Sequence, residues 1–211
     1  MRTIIISDLH LGSKVSKTVA ILLFLEQLQC DLLIVAGDLF DSWSLGNLDE
    51  ACCRIIDNLR NRKAVILRGN HGGGIVADLL GNDVDCEFTS ANKTIYVTHG
   101  NQWDDTLDKW YCPIASAVYW LAQEIDNLLH TRIATMLKNW SKRMTNTYAK
   151  VEAGAKLAAR LHDADYVVCG HTHMATMDGP YLNCGSWTEE CAYVCVEDGE
   201  IRLDRYQESS T

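Results

Sequence analysis

The sequence predicts an α/β fold. Apolar, β-branched runs alternate with amphipathic helices in its first third, a second group of strands follows, and a long helical stretch interrupts that group. Residues 2–7 form a short isoleucine-rich run ending on polar residues, and residues 31–36 and 63–68 repeat the pattern. Each reads as a buried strand, because a strand covered on both faces loses its polar alternation. Between them, residues 16–29 carry Val19, Leu22, Leu23 and Leu28 at helical spacing, and residues 48–59 do the same with Ala51, Cys52, Ile55, Ile56 and Leu59. This succession implies a parallel sheet with right-handed crossovers.

Beyond Gly69 the pattern changes. A short helix is expected around residues 75–80, then strands at 85–89 and 93–98 joined as a hairpin across Ser90-Ala91-Asn92. Residues 106–162 hold Gly154 as their only glycine and Pro113 as their only proline, and Val118, Leu121, Ile125, Leu128 or Leu129, Ile133, Met136 or Leu137, and Trp140 recur at helical spacing. This segment reads as a helical cap insertion. Strands return at 164–169, 181–184, 191–196 and 200–206, the last two joined by Asp198-Gly199, a two-residue hairpin signal. No repeat and no Pro/Gly/Ser-rich linker divides the chain, so residues 1–211 are expected as one domain.

Composition narrows the function. Apolar residues at 47% and charged residues at 22% exclude disorder and a coiled coil. A formal charge of −9 lacks the footprint of a general nucleic-acid binder. The insertion differs: its eight basic residues (Lys109, Arg132, Lys138, Lys142, Arg143, Lys150, Lys156, Arg160) against four acidic ones give +4, leaving −13 elsewhere. Basic charge is thus concentrated where an anionic ligand would be covered. The longest apolar run, 19–25, falls well short of the roughly 20 residues of a membrane span, and the N-terminus is too short in apolar residues for a signal peptide. Nine cysteines, none in a C-x-x-C pair, lie mostly among apolar neighbours and are expected as reduced thiols in a cytoplasmic protein.

The chemistry concentrates at strand ends. Asp8-Leu9-His10, Gly37-Asp38, Gly69-Asn70-His71, Thr98-His99-Gly100 and His171-Thr172-His173 all follow expected strands. The carboxyl ends of strands border the ligand crevice in open α/β sheets, so these groups should converge. D-x-H and H-x-H in an extended segment place alternate side chains on one side, within reach of one ion. Oxygen and imidazole ligands without thiolate suit Mn, Fe, Ni or Zn with positions left open for water. Asp8 or Asp38 alone could be a helix cap or a turn residue. His130 and His162, outside any such block, read as hydrogen-bonded core histidines.

Taken in order, these five blocks resemble the calcineurin-like metallophosphoesterase superfamily. Ser7-Asp8-Leu9-His10-Leu11, Gly37-Asp38-Leu39-Phe40-Asp41-Ser42-Trp43, Thr98-His99-Gly100-Asn101-Gln102-Trp103-Asp104 and Leu182-Asn183-Cys184-Gly185-Ser186-Trp187 are similar to its UDP-2,3-diacylglucosamine pyrophosphatase-like branch. The resemblance implies a four-layer αββα sandwich of mixed sheets with the 106–162 cap, and two divalent metal ions, with manganese expected first and iron, nickel or zinc as alternatives. It implies that Asp8, His10, Asp38 and His173 hold one ion, that Asp38, Asn70, His99 and His171 hold the other, and that Asp38 bridges them. His71, with Asn70 beside it, would act on the phosphoryl group and its leaving group.

The implied activity is hydrolysis of a phosphodiester or pyrophosphate bond by direct attack of metal-bound hydroxide on phosphorus. The substrate would be an anionic small molecule, such as a nucleotide-linked lipid precursor, with transient lipid contact. Two departures stand out: Gly72-Gly73-Gly74 replaces the acid that usually follows the Asn-His pair and orients the histidine, and Asn101 replaces an Asp after His99-Gly100. A nuclease or cyclic-nucleotide phosphodiesterase is the alternative enzyme, and a non-catalytic scaffold the alternative of another class. Trp43, Trp103 and Trp187 either shape substrate choice or belong to the core.

Overall fold

The computed structural model describes residues 1–41, 48–71, 83–104 and 146–207, with eight separate positions between 121 and 137. The expected helix at 75–80, Trp43, His130, the Gly72-Gly73-Gly74 run and most of the insertion lie outside the described residues. Among the described residues, ten strands fall into two five-stranded sheets. The first has the order β10 (Glu200–Arg205), β9 (Ala192–Glu197), β1 (Arg2–Ile6), β2 (Leu32–Val35), β3 (Val65–Ile66). The second has the order β4 (Asp85–Ser90), β5 (Lys93–Thr98), β6 (Tyr166–Cys169), β8 (Tyr181–Asn183), β7 (Thr176–Asp178). Each sheet is mixed in the same way: three parallel strands, β1-β2-β3 or β5-β6-β8, extended by antiparallel partners.

The alternation along β1 shows how the layers stack. Ile5 points between the sheets, where it meets Ile34, Ile95, Val97, Val168, Leu182 and Val194. Ile4 and Ile6 point the other way, onto helices α1 (Thr18–Gln27) and α2 (Glu50–Asn61) through Ile21, Leu25, Ile55 and Leu59. On the far side, Tyr96, Val167, Cys169 and Tyr181 of the second sheet receive Val151, Ala155, Ala158 and Ala159 of helix α3 (Thr147–Leu161). Helices, sheet, sheet and helix make the expected αββα sandwich. Residues 147–161, which the sequence reading counted within the 106–162 cap, thus form the outer layer of the second sheet, because their small apolar stripe fits that surface.

Local chemistry agrees with these elements. Asp49 caps α2 by accepting from the Cys52 amide at 2.8 Å. Ala91 and Asn92, and Asp198 and Gly199, all have positive φ, as the primed turns of two-residue hairpins require. The 176–178 strand was not anticipated; it turns through Gly179 into β8. Trp187 is fully buried and packs on Phe24, with ring centroids 4.8 Å apart, so it is a core aromatic. His162 departs from expectation: it is exposed at the end of α3, bonded to Glu87 at 2.7 Å and stacked on Tyr96.

Helix α1 also corrects the sequence reading. Its buried face is Ala20, Ile21, Phe24 and Leu25, while Val19 and Leu23 are exposed. Seven of its ten residues are Val, Ala, Ile, Leu or Phe, so periodicity had no polar face to select against. Ile21→Ala should therefore cost about 2–5 kcal/mol, and Val19→Ala about 0.5 kcal/mol or less, in urea unfolding. Equal costs would place the wrong face against the sheet.

Candidate metal centre

The site lies where parallel strands of both sheets end. Asp8 and His10 follow β1, Asp38 follows β2, Asn70 follows β3, His99 follows β5, and His171 and His173 follow β6. Five of these seven residues, Asp8, His10, Asp38, His171 and His173, have φ between 47° and 66°. Left-handed backbone is tolerated by Asp and His better than by most residues, yet it carries strain that the surrounding structure must outweigh. Gly37, at φ 90°, turns the chain into Asp38 and leaves the space that the His99 ring takes up. Asp38 and Asp8 press in the same way on the bare Cα positions of Gly69 and Gly170.

Five of the seven, Asp8, His10, Asp38, His99 and His171, are held by a partner on the outer side, which turns another ligand atom toward the rest of the group. His99 Nδ1 lies 2.9 Å from the Ala36 carbonyl and so carries the proton, which turns the Nε2 lone pair inward. There Nε2 meets Asn70 Oδ1 at 3.0 Å and Asp38 Oδ2 at 3.3 Å. His171 Nε2 is bonded to Asp104 Oδ2 at 3.0 Å, leaving Nδ1 2.9 Å from the same Asn70 oxygen. His10 Nδ1 is bonded to Asp41 Oδ1 at 3.1 Å, leaving Nε2 3.3 Å from His173 Nε2.

The carboxylates follow the same rule. Asp38 Oδ1 accepts the His71 amide at 2.7 Å, and Oδ2 faces His99 and, at 3.7 Å, His10. Asp8 Oδ2 accepts from the Ser7 hydroxyl and, at 2.9 Å, from the His171 amide. Asp8 Oδ1 is buried without a hydrogen bond, 3.0 Å from His173 Nε2 and 3.7 Å from His10 Nε2.

Lone pairs turned on one another at these distances repel unless a positive charge lies among them. Ligand atoms of Asp8, His10 and His173, and of Asp8, Asp38 and His99, lie within 4.8 Å of one another, as do those of His10, Asp41 and His71. Without a cation, protons must supply the charge. Burial by itself would raise the Asp8 and Asp38 carboxyls, but His173 and His10 hold Asp8, and His99 holds Asp38, below the usual carboxylate range. Burial would lower His99, yet Asp38 outweighs it and pushes the imidazole up to about 9. The donor set of imidazole, carboxylate and amide oxygens therefore fits divalent cations.

His71 is exposed at the rim, its ring edge-on to His10 at 4.9 Å. Its Nδ1 bonds the Asp41 carbonyl at 2.9 Å. A backbone oxygen thus orients it, where the sequence lacks the usual following acid. Sequence reasoning gave no role to Asp41, Asp104 or Ser7, the groups behind the candidate ligands. The signal was present: each sits inside a motif block already singled out.

The chain belongs to the calcineurin-like phosphoesterase family, whose model matches residues 1–175. That family binds divalent metals and hydrolyses phosphoesters. No curated protein matches the sequence significantly. Among solved structures, a single-mutant Vps29 from Entamoeba histolytica aligns with a TM-score of 0.52 at 16% identity, over 99% of this chain and 100% of that one. Wild-type Vps29 from the same organism, complexed with Zn2+, gives 0.52 at 17% identity over 98% of each chain. Vacuolar protein sorting 29 from Cryptosporidium parvum gives 0.51 at 15% identity, over 99% of this chain and 98% of that one. At such identities the likeness concerns the fold alone. Among the described residues no helix is long and apolar enough to cross a membrane.

A pH prediction follows from the raised His99. Its contribution to stability is fully present below 6.5 and is lost as pH rises through about 9. Chelator-treated protein should therefore lose urea resistance across that window, and metal-loaded protein should lose less, because a cation replaces the proton. Identical profiles with and without chelator would contradict this.

Proposed function

We propose that this protein is a phosphohydrolase that uses two divalent cations to cleave a phosphodiester or pyrophosphate bond in an anionic small molecule. The observation that carries the reading is the set of inward-facing acceptor atoms gathered around Asp38. Asp8, His10, Asp38 and His173 would hold one cation, and Asp38, Asn70, His99 and His171 the other, with Asp38 shared. Manganese is the metal we propose, with iron, nickel or zinc as alternatives compatible with the same donors. When bound, the cations supply Lewis acidity toward phosphoryl oxygens and activation of water at neutral pH.

The chain's own residues orient and protonate. Asp38 Oδ1, held by the His71 amide, fixes the direction of Oδ2. Asn70 Oδ1 sits against both His99 Nε2 and His171 Nδ1, the atoms that would share one cation with it. His71, with its Nδ1 proton committed to the Asp41 carbonyl, offers Nε2 to the substrate side; in its protonated form it would donate that proton to the departing oxygen. The exposed rim position suits a group that must meet a substrate arriving from solvent.

For the substrate we propose a nucleotide-linked lipid precursor of the UDP-2,3-diacylglucosamine type, covered by the insertion. Three features support this: the motif likeness to that branch, the net +2 that residues 106–146 keep once α3 is assigned to the outer layer (five basic against three acidic residues), and exposed Leu121, Leu128 and Met136 within them. Lys14, four residues after His10, pairs with Glu124 of the insertion at 2.7 Å, which brings that segment to the loop beside the site. A cytoplasmic location suits the free thiols of the described cysteines.

Asp38→Ala should abolish hydrolysis and strip bound metal, measured by elemental analysis, because one carboxylate serves both positions. His71→Ala should lower turnover about 10²- to 10⁴-fold and keep its metal; loss of all metal there would make His71 a ligand. For the substrate, the acylated compound should turn over faster than its deacylated form, since remote contacts contribute to rate as well as affinity. Equal rates would remove the lipid-selective cap and leave the centre.

A further inference from the structure

Asp104 closes the motif block that begins at His99, and no role has been assigned to it. It is buried, and its Oδ2 holds His171 Nε2 at 3.0 Å. That bond decides the His171 tautomer: with the proton on Nε2, the lone pair on Nδ1 faces Asn70 and the position shared with His99. A neutral or missing partner would free the ring to turn or to move its proton to Nδ1, where it would block a cation.

Successive turns of α3 brace the loop that carries Asp104. The buried Thr147 hydroxyl, in the first turn, lies 3.4 and 3.5 Å from the two Asp104 carboxylate oxygens. One turn on, Val151 packs by Gly100. Further on, Gly154 leaves the space that the Trp103 ring fills, so that any side chain there would collide with the indole. This accounts for a glycine in the middle of a helix, where it costs about 1 kcal/mol relative to alanine. Helix α3 is also the last part of the 106–162 segment.

We infer that Asp104 is a positioning residue for the second cation, acting through His171, and that α3 seats it through the fit of Gly154 against Trp103. The inference rests on the two-cation reading above. It makes the hold on that cation depend on how α3 packs, so that the insertion and one half of the metal centre share a mechanical element.

The test is Mn2+ titration of metal-stripped full-length protein, following stoichiometry by calorimetry and the spin-coupled pair signal by electron paramagnetic resonance. Wild type should bind two ions and show the coupled signal. Asp104→Asn should weaken one site about 10- to 100-fold, with the other unchanged, and convert the signal to that of isolated ions. Gly154→Ala should weaken the same site, although alanine favours the helix, and adding Trp103→Ala should restore it by making room. Circular dichroism and thermal melts identify variants that fail to fold; for those, Asp104→Glu, which keeps the charge, should retain two ions. If wild type binds one ion or none, the two-cation reading fails. If wild type binds two and folded Asp104→Asn binds both as tightly with the coupled signal intact, the role given to Asp104 is overturned. Equal weakening of both sites in Asp104→Asn would likewise reduce it to a general structural residue.

Discussion

The structure depends on holding five of the seven candidate ligands from behind. Ala36 O, Asp41, Asp104, Ser7 and the backbone amides of His71 and His171 occupy the outer atoms of His99, His10, His171, Asp8 and Asp38. What faces inward is a close set of carboxylate, amide and imidazole atoms. An arrangement of that kind is costly when empty of charge, since unpaired buried acceptors are unfavourable and carboxylates in low dielectric more so. The lowered carboxyls and the raised His99 are consistent with protons supplying that charge where no cation does.

Such a cradle needs a rigid frame. Two sheets packed through Ile5, Val97, Val168 and Leu182 bring the ends of β1, β2, β3, β5 and β6 to one edge. Helices close both outer faces. Positive φ at five of the seven candidate ligands is affordable only because that frame fixes the loops at both ends. The strain and the preorganisation are the same feature: the loops cannot relax without moving the inward-facing atoms apart.

The layout also divides the centre between two halves of the molecule. The Asp8, His10 and Asp38 loops rise from the first sheet, backed by α1 and α2, while the His99, His171 and His173 loops rise from the second, backed by α3. Asp38 reaches across to His99, and His173 to Asp8. Asp38 and Asp8 thus join the two sheets at the edge where the intersheet core ends, and a cation among these groups would tie the halves together electrostatically as the apolar core does by burial.

Strand ends, hairpin turns and the α/β class were legible in the sequence, because period, glycine placement and turn chemistry are local properties. The α2 face was legible too, since polar residues mark its outside. For α1 no such mark exists, and only docking on the first sheet selected Ala20, Ile21, Phe24 and Leu25. The candidate ligands could be named from their blocks, but the groups that orient them could not. Asp104 meets His171 across 67 residues and Asp41 meets His10 across 31. The tautomers of His10, His99 and His171 are decided by such partners, so composition and spacing establish which atoms are available to a cation, and tertiary packing alone establishes which of them face it.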